Sequence, residues 1–335
     1  MSEEIREIHE ASGLPAEWDD LASEYFQTKE FLVHSEKYNP CNQRYFTIFL
    51  DGQLKAGAVM YTLKLNLLTY LFGNGIKIPM NILGIPCSVS SGGLTGDKEY
   101  YQKLFEHLRY KVRGLLLALN MDFKPVLPGF IVGKTLPTII VHNRFKTWDI
   151  YIRSLRSSYR RRYNRIIEHF LNIDKRTGPC SEFSNEMYRQ YLEVLRRSKG
   201  KLETLELPFF QNLPGNFILT SYYDDSRLAG WHITTGFRDR YYFFMGGIDY
   251  MLNRNLFTYY NMLFNIIKHG IEANASVIDM GQTAEIPKMR LGGVISEKYM
   301  TGYHSNFVFR RLLQAGKGLL EYSGRFPETS VIKEL

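Results

Sequence analysis

The run from Asn216 to Gly281 limits the possible folds more than any other stretch. NFILTSYYDDSRLAGWHITTGF reads as two strands hinged on an Asp-Asp turn, and YYFFMGGID as a third. A helix is expected near Phe257 to Glu272, and SVIDMG returns as a further strand. Three strands in succession, a helix and another strand imply a mixed α/β sheet. The same skeleton recurs earlier. In RYFTIFLDGQLKAGAVMYTLK, two β-rich runs meet at Asp51-Gly52, the dipeptide favoured in tight hairpins. In ILGIPCSVSSGGLTGDKEYYQKLFEHLRYKV, a glycine-bearing turn leads into a helix whose apolar positions are Tyr101, Leu104, Phe105, Leu108 and Val112, with Asp97 as the expected cap. A short helical pattern covers Trp18 to Tyr25. Two α/β domains of related build are expected, 1–148 and 149–335, with the boundary inside 142–152 and no long linker. A chain of 335 residues is long enough for both.

Hydrophobic residues make up 44% and charged residues 23%, so the chain should fold as a globular protein rather than a disordered one. A formal charge of +8 favours acidic partners: nucleic acid, a carrier protein, a phosphate-bearing cofactor or an anionic membrane face. Cys41, Cys87 and Cys180 are far apart and share no metal-ligand spacing, which argues against a disulfide framework or a structural zinc site. Residues 1–30 are acidic and lack the apolar core of a signal peptide. The longest apolar run, YTLKLNLLTYLF, is interrupted by Lys64 and Asn66 and falls short of the ~20 residues that span a bilayer. A cytoplasmic location is expected, with peripheral membrane contact left open.

The segment VIDMGQTAEIPKMRLGG, Val277 to Gly293, follows YYFFMGGIDYMLNRN and the helix. Together these resemble the C-terminal half of Fem-like, peptidoglycan-biosynthesis-type members of the GNAT superfamily. There an apolar-Asp-apolar-Gly strand precedes a polar turn and Lys-x-Arg-x-Gly. Asp279, Gly281, Gln282, Thr283, Lys288, Arg290, Gly292 and Gly293 stand at those places, and Gly246, Gly247 and Asp249 match the preceding Gly-Gly-x-Asp. The basic helix Tyr159 to Arg165 matches the opening of the domain. The resemblance spans about 150–300. It implies two tandem GNAT-like domains and transfer of an acyl or aminoacyl group to an amine.

One departure bears on the donor. The position at which GNAT enzymes carry a glycine-rich pyrophosphate loop reads Tyr250-Met251-Leu252-Asn253-Arg254-Asn255-Leu256-Phe257, without glycine. The resemblance therefore leaves acyl-CoA, an acyl-carrier protein or an aminoacyl-tRNA as donor. A CoA or carrier-protein thioester is preferred, because the segment after Glu186 holds one helix and no long helical-arm insertion. A non-catalytic GNAT-fold binding protein is the competing class. The glycine turn Ser90-Ser91-Gly92-Gly93 is either a phosphate nest or a plain loop.

Acyl transfer needs a deprotonated amine, a polarised carbonyl and a protonated leaving group. Lys288 and Arg290, just past a strand end, either neutralise an oxyanion or donor phosphate or belong to a solvated turn. Asp279 either orients Lys288, acts as a base, or hydrogen-bonds a loop; Glu285 is a weaker base candidate. His232 lies on a strand of the kind from which GNAT enzymes project a base, and is otherwise a core histidine. Gln282 and Thr283 either bind substrate or cap the turn. Arg254 is a further donor-binding candidate. In YRRRYNR, Arg160 and Arg162 project about 200° apart on a helix, so no single ligand meets all the arginines, although one or two can reach a donor phosphate. No metal-ligand spacing, nucleophile elbow or Walker loop occurs.

Overall fold

The structure is a computed structural model that describes residues 2–66, 77–88, 90–198 and 203–333. It divides into two compact units, Met1–Leu136 with Lys199–Phe209 and Glu297–Gly324, and Pro137–Ser198 with Phe210–Ser296 and Arg325–Leu335.

In the first unit the strands are β1 (Glu3–Ile8), β2 (Arg44–Leu50), β3 (Gln53–Asn66), β4 (Lys77–Leu83), β5 (Leu94–Gly96), β6 (Leu115–Met121) and β7 (Ile131–Lys134). The expected hairpin forms between β2 and β3, with Asp51 and Gly52 both at positive φ (48° and 81°), as a two-residue turn between twisted strands requires. The helix Tyr101–Lys111 buries Tyr101, Leu104, Phe105 and Leu108 against this sheet. Asp97 instead precedes a 3-10 turn, Lys98–Tyr100, and its side chain caps nothing there.

The second unit contains β8 (Thr138–His142), β9 (Asp174–Pro179), β10 (Ile218–Asp224), β11 (Arg227–Phe237), β12 (Arg240–Ile248), β13 (Val277–Gln282) and β14 (Val294–Ser296), in the spatial order β14-β8-β13-β12-β11-β10-β9. Antiparallel hairpins join β10 to β11 and β11 to β12. The helix Thr258–Glu272 then carries the chain back to lay β13 parallel to β12. Its Leu263, Phe264, Ile266, Ile267 and Ile271 fill a core with Ile278 and Met280 of β13, Val141 of β8 and Tyr151.

The last strand, β15 (Tyr299–His304), belongs to the first sheet and lies between β6 and β7, antiparallel to both. The units therefore differ from the contiguous halves 1–148 and 149–335 read from the sequence. The first sheet has a slot between β6 and β7 whose backbone groups need a partner, and a segment from the end of the chain fills it.

Candidate active site

β12 and β13 pair over three positions only, Arg240↔Val277, Tyr241↔Ile278 and Tyr242↔Asp279. Beyond them the strands part. The register of β12 against β11 slips between Ile233 and Thr234, leaving Phe244 as the extra residue of a bulge, while β13 stays paired on its other edge with β8, from Val277↔His142 to Gln282↔Thr138. A bulge bends its strand and breaks the ladder locally, so β12 has an unpaired edge facing the gap.

The far wall of this wedge is built by the motif that carries the family resemblance. Ile278 and Met280 point into the core, so Asp279 faces the opposite side of β13. Buried there, its Oδ1 accepts hydrogen bonds from Thr138 Oγ1 (2.8 Å) and Gly281 N (2.7 Å). The chain next makes a tight left-handed turn, with φ of 73° at Gly281, 60° at Thr283 and 49° at Ala284. A β-branched residue in this region is strained and needs support from its surroundings. Lys288 supplies it. From the helix Glu285–Met289 its Nζ folds back to donate to Gly281 O (3.0 Å) and Gln282 O (2.8 Å), and lies 5.8 Å from the Phe243 ring centre on β12.

Lys288 is thus buried at the point where the strands separate, not solvated on a turn. Burial pushes its pKa down to about 7, while Asp279 and Glu285 pull the other way. A share of this amine is therefore neutral near pH 7. The two glycines that follow have packing roles. Gly292 has φ +85°, and a Cβ on Gly293 would lie 2.9 Å from Lys288 O and inside the Ile139 side chain.

Two arginines line one cleft beside this turn. Leu155, Tyr159, Arg162, Tyr163, Ile166, Tyr260, Phe264, Arg290 and Leu291 line a cleft that bounds about 260 Å³ of space open to solvent. Arg162, exposed on the helix Ser157–Glu168, donates through Nη2 to Tyr260 OH (3.2 Å), with its guanidinium 5.0 Å from that ring centre. Arg290 ends the Lys288 helix and is also exposed. The cleft and the buried lysine are therefore linked through residues 288–291. Two exposed guanidinium groups lining one open cleft can meet a phosphate or carboxylate from solvent.

The other expected residues lie elsewhere. Arg160 is held against its own backbone, donating to Arg153 O and Leu155 O (3.3 Å each). His232 is fully buried on β11, its Nδ1 3.4 Å from Tyr222 OH, and burial drives its pKa down to about 3. That leaves it neutral and a poor proton acceptor. Gln282 is half-buried and Thr283 exposed, both in the clamped turn. Arg254 is exposed on the short helix Asn253–Leu256.

In and around that helix, backbone N–H groups are bonded within the segment. Met251 N and Leu252 N reach Asp249 Oδ1, Asn253 N reaches Asp249 O, Leu256 N reaches Leu252 O, Phe257 N reaches Asn253 O and Tyr259 N reaches Asn253 Oδ1. The segment that lacks the glycines thus has its N–H groups from Met251 to Phe257 bonded within itself and to Asp249.

Sequence reasoning missed Thr138 and Tyr260. They lie 141 and 98 residues from Asp279 and Arg162, the partners they touch, and no periodicity links positions so distant.

No family model and no curated protein matches the chain. Among solved structures, FemX superposes with a TM-score of 0.54 at 11% identity, covering 84% of this chain and 92% of FemX. A tandem GNAT protein from the clavulanic acid biosynthesis pathway gives 0.49 at 10% identity (91% of this chain and 99% of that one). L-PGS from Bacillus licheniformis gives 0.47 at 12% identity (86% and 94%). The FemX likeness shows the fold, and at that level the expected Fem-like resemblance and the two-unit mixed α/β architecture are borne out.

Proposed function

We propose that the chain is an N-acyltransferase whose second unit moves an acyl or aminoacyl group from an activated donor to an amine. The observation that carries this reading is the parting of β12 and β13 after three residue pairs, with a buried lysine at the fork. The free edge of β12 beyond Tyr242 offers backbone N–H and C=O groups to an extended acyl arm, as a sheet edge does to an added strand. The acceptor amine attacks the acyl carbonyl, the carbonyl oxygen gathers negative charge, and the leaving group takes a proton as it departs. Lys288 holds the Gly281–Ala284 turn and supplies positive charge or a proton at the fork, because burial brings its pKa to about 7. Asp279 fixes the same turn from below. Arg162 and Arg290 take the donor phosphate, and Arg160, Arg254 and His232 serve structure or solvation.

Among thioester donors, a single phosphate in a two-arginine cleft fits a phosphopantetheine arm on a carrier protein. The chain's +8 charge suits an acidic protein of that kind. An aminoacyl-tRNA donor is the second reading, favoured by the bonded N–H groups at 250–257, which give a CoA pyrophosphate no nest. Transfer assays with acyl-carrier protein, acyl-CoA and aminoacyl-tRNA, each with a panel of amines, separate these readings. Arg162→Ala with Arg290→Ala should raise the donor KM about tenfold or more while changing kcat less. Donor affinity unchanged in that double variant would remove the phosphate assignment. Full activity in Lys288→Ala would remove the fork as the reaction centre.

A further inference from the structure

Among the described residues no helix is long and apolar enough to cross a membrane, yet one short helix in the first unit is built unlike the rest. In Phe307–Ala315 only Leu313 is buried, whereas Phe307, Val308, Phe309 and Leu312 are each more than half exposed. Leu319, two turns further on, is exposed to the same degree. On a 3.6-residue period Val308, Phe309 and Leu312 share one outward sector, on the side away from the Arg310 and Gln314 positions. Stability within the unit gives no reason to place four large apolar side chains in water.

Within the segment that carries this sector the charges share one sign; Glu321, just past its end, accepts from Lys134 N. From Ser305 to Leu320 there is no Asp or Glu, and Arg310, Arg311 and Lys317 lie among the apolar residues. Arg310 lies 4.7 Å from the Tyr303 ring centre and Arg311 5.1 Å from that of Phe307, so both guanidinium groups sit at the aromatic rim. Hydrogen bonds in both directions between Gly114 and Ser305 bring the end of the helix Tyr101–Lys111 beside this one. That end adds exposed Tyr110 and Arg113.

We propose that the helix Phe307–Ala315 and its flank form a docking surface for an anionic lipid bilayer. Val308, Phe309, Leu312 and Leu319 enter the acyl boundary while Arg311, Lys317 and Arg113 pair with lipid phosphates, their stems lying along the apolar surface. Charge complementarity decides between occupants. A second copy joined by two-fold symmetry would set this surface against itself, arginine facing arginine with no carboxylate in the stretch to answer it. A bilayer of anionic headgroups over hydrocarbon matches both features. The proposal does not depend on the transfer chemistry.

The experiment is sedimentation of the full chain with phosphatidylcholine vesicles and with phosphatidylcholine/phosphatidylglycerol vesicles, alongside a Phe309→Ser, Leu312→Ser double variant and Arg311→Glu. These side chains are exposed, so both variants should keep the wild-type circular dichroism and Tm. The wild type should pellet with the anionic vesicles only and be released by salt, and each variant should lose about tenfold or more in partitioning. Three results overturn the proposal: wild type left in the supernatant with anionic vesicles, a double variant that binds as well as wild type, or a wild-type dimer in light scattering that the double variant makes monomeric without altering vesicle binding.

Discussion

A buried amine whose two contacts are both carbonyl oxygens makes the stability of the second unit depend on pH. Lys288 has a folded-state pKa of about 7 against 10.5 for a free lysine. Below pH 7 both folded and unfolded chains hold the proton. Between 7 and 10.5 the unfolded chain holds it and the folded chain releases it, so stability rises with pH across that window. Chemical denaturation at pH 7, 8 and 9 should show a gain approaching about 1.4 kcal/mol per pH unit in wild type. Lys288→Met should lack that gain, so its deficit, about 1–3 kcal/mol at pH 7 through the unsatisfied carbonyls of Gly281 and Gln282, should widen as pH rises; parallel pH profiles would assign the shift to another group. His232 acts on the acid side. With a folded value of about 3 against 6.5, it is neutral in the fold while the unfolded chain takes up a proton. Stability is therefore lost as pH falls from 6.5 through 3, and His232→Gln should flatten that limb of the Tm profile. The sequence picked out Lys288 and Asp279 by motif but left their roles open. Asp279 accepts from Thr138 and from Gly281 at the start of the turn; of its three expected roles this comes nearest to the hydrogen bond to a loop, and it was unreadable without Thr138, a partner 141 residues away.

The elements that were legible are those whose signal is local. The β2–β3 hairpin follows from Asp51-Gly52, the β10–β11 hairpin from its Asp-Asp turn, and the helix Tyr101–Lys111 from its apolar spacing. Where a residue answers to a distant strand, the reading stays ambiguous, as at Ser90-Ser91-Gly92-Gly93. A Cβ on Gly93 would fall 2.7 Å from Gly84 Cα and 2.8 Å from Val59 O, and Gly93 O accepts from Val59 N (2.8 Å). This glycine lets two backbones touch, which the sequence does not reveal because Val59 and Gly84 are remote. Gly93→Ala should therefore destabilise by about 1–3 kcal/mol through overpacking. Gly52→Ala meets nothing within 4 Å and should cost only the left-handed backbone penalty of about 1–2 kcal/mol. The two costs differ in origin. Replacing Gly52 with Asn should recover most of its loss, because Asn tolerates positive φ, whereas Gly93→Asn should be worse than Gly93→Ala; equal recovery at both sites would show that close packing is not what Gly93 serves.

At the scale of the whole chain, the sequence conveyed two α/β units but not how strands are shared between them, because β15 carries no mark of its destination. Its alternating residues would suit either sheet. The slot between β6 and β7 selects it: Thr301 Oγ1 donates to Ile131 O (2.6 Å), and Met300, 6% exposed, packs in a cluster with Cys41, Tyr61, Met80, Ile82, Leu115, Ile131, Leu313 and Leu320. A residue in the last tenth or so of the chain thus completes the core of the unit that begins at its N-terminus. Met300→Ala should remove about 2–5 kcal/mol, the usual cost of a large-to-small change in a packed core. The loss should have a definite address. Native-state hydrogen exchange should show the amides of β6 and β7, residues 115–121 and 131–134, losing protection along with those of β15. The β9–β10 and β10–β11 ladders of the second sheet should keep theirs, because none of their residues belongs to the Met300 cluster. Protection lost first in those ladders would mean that the C-terminal strand does not act as a member of the first sheet in solution.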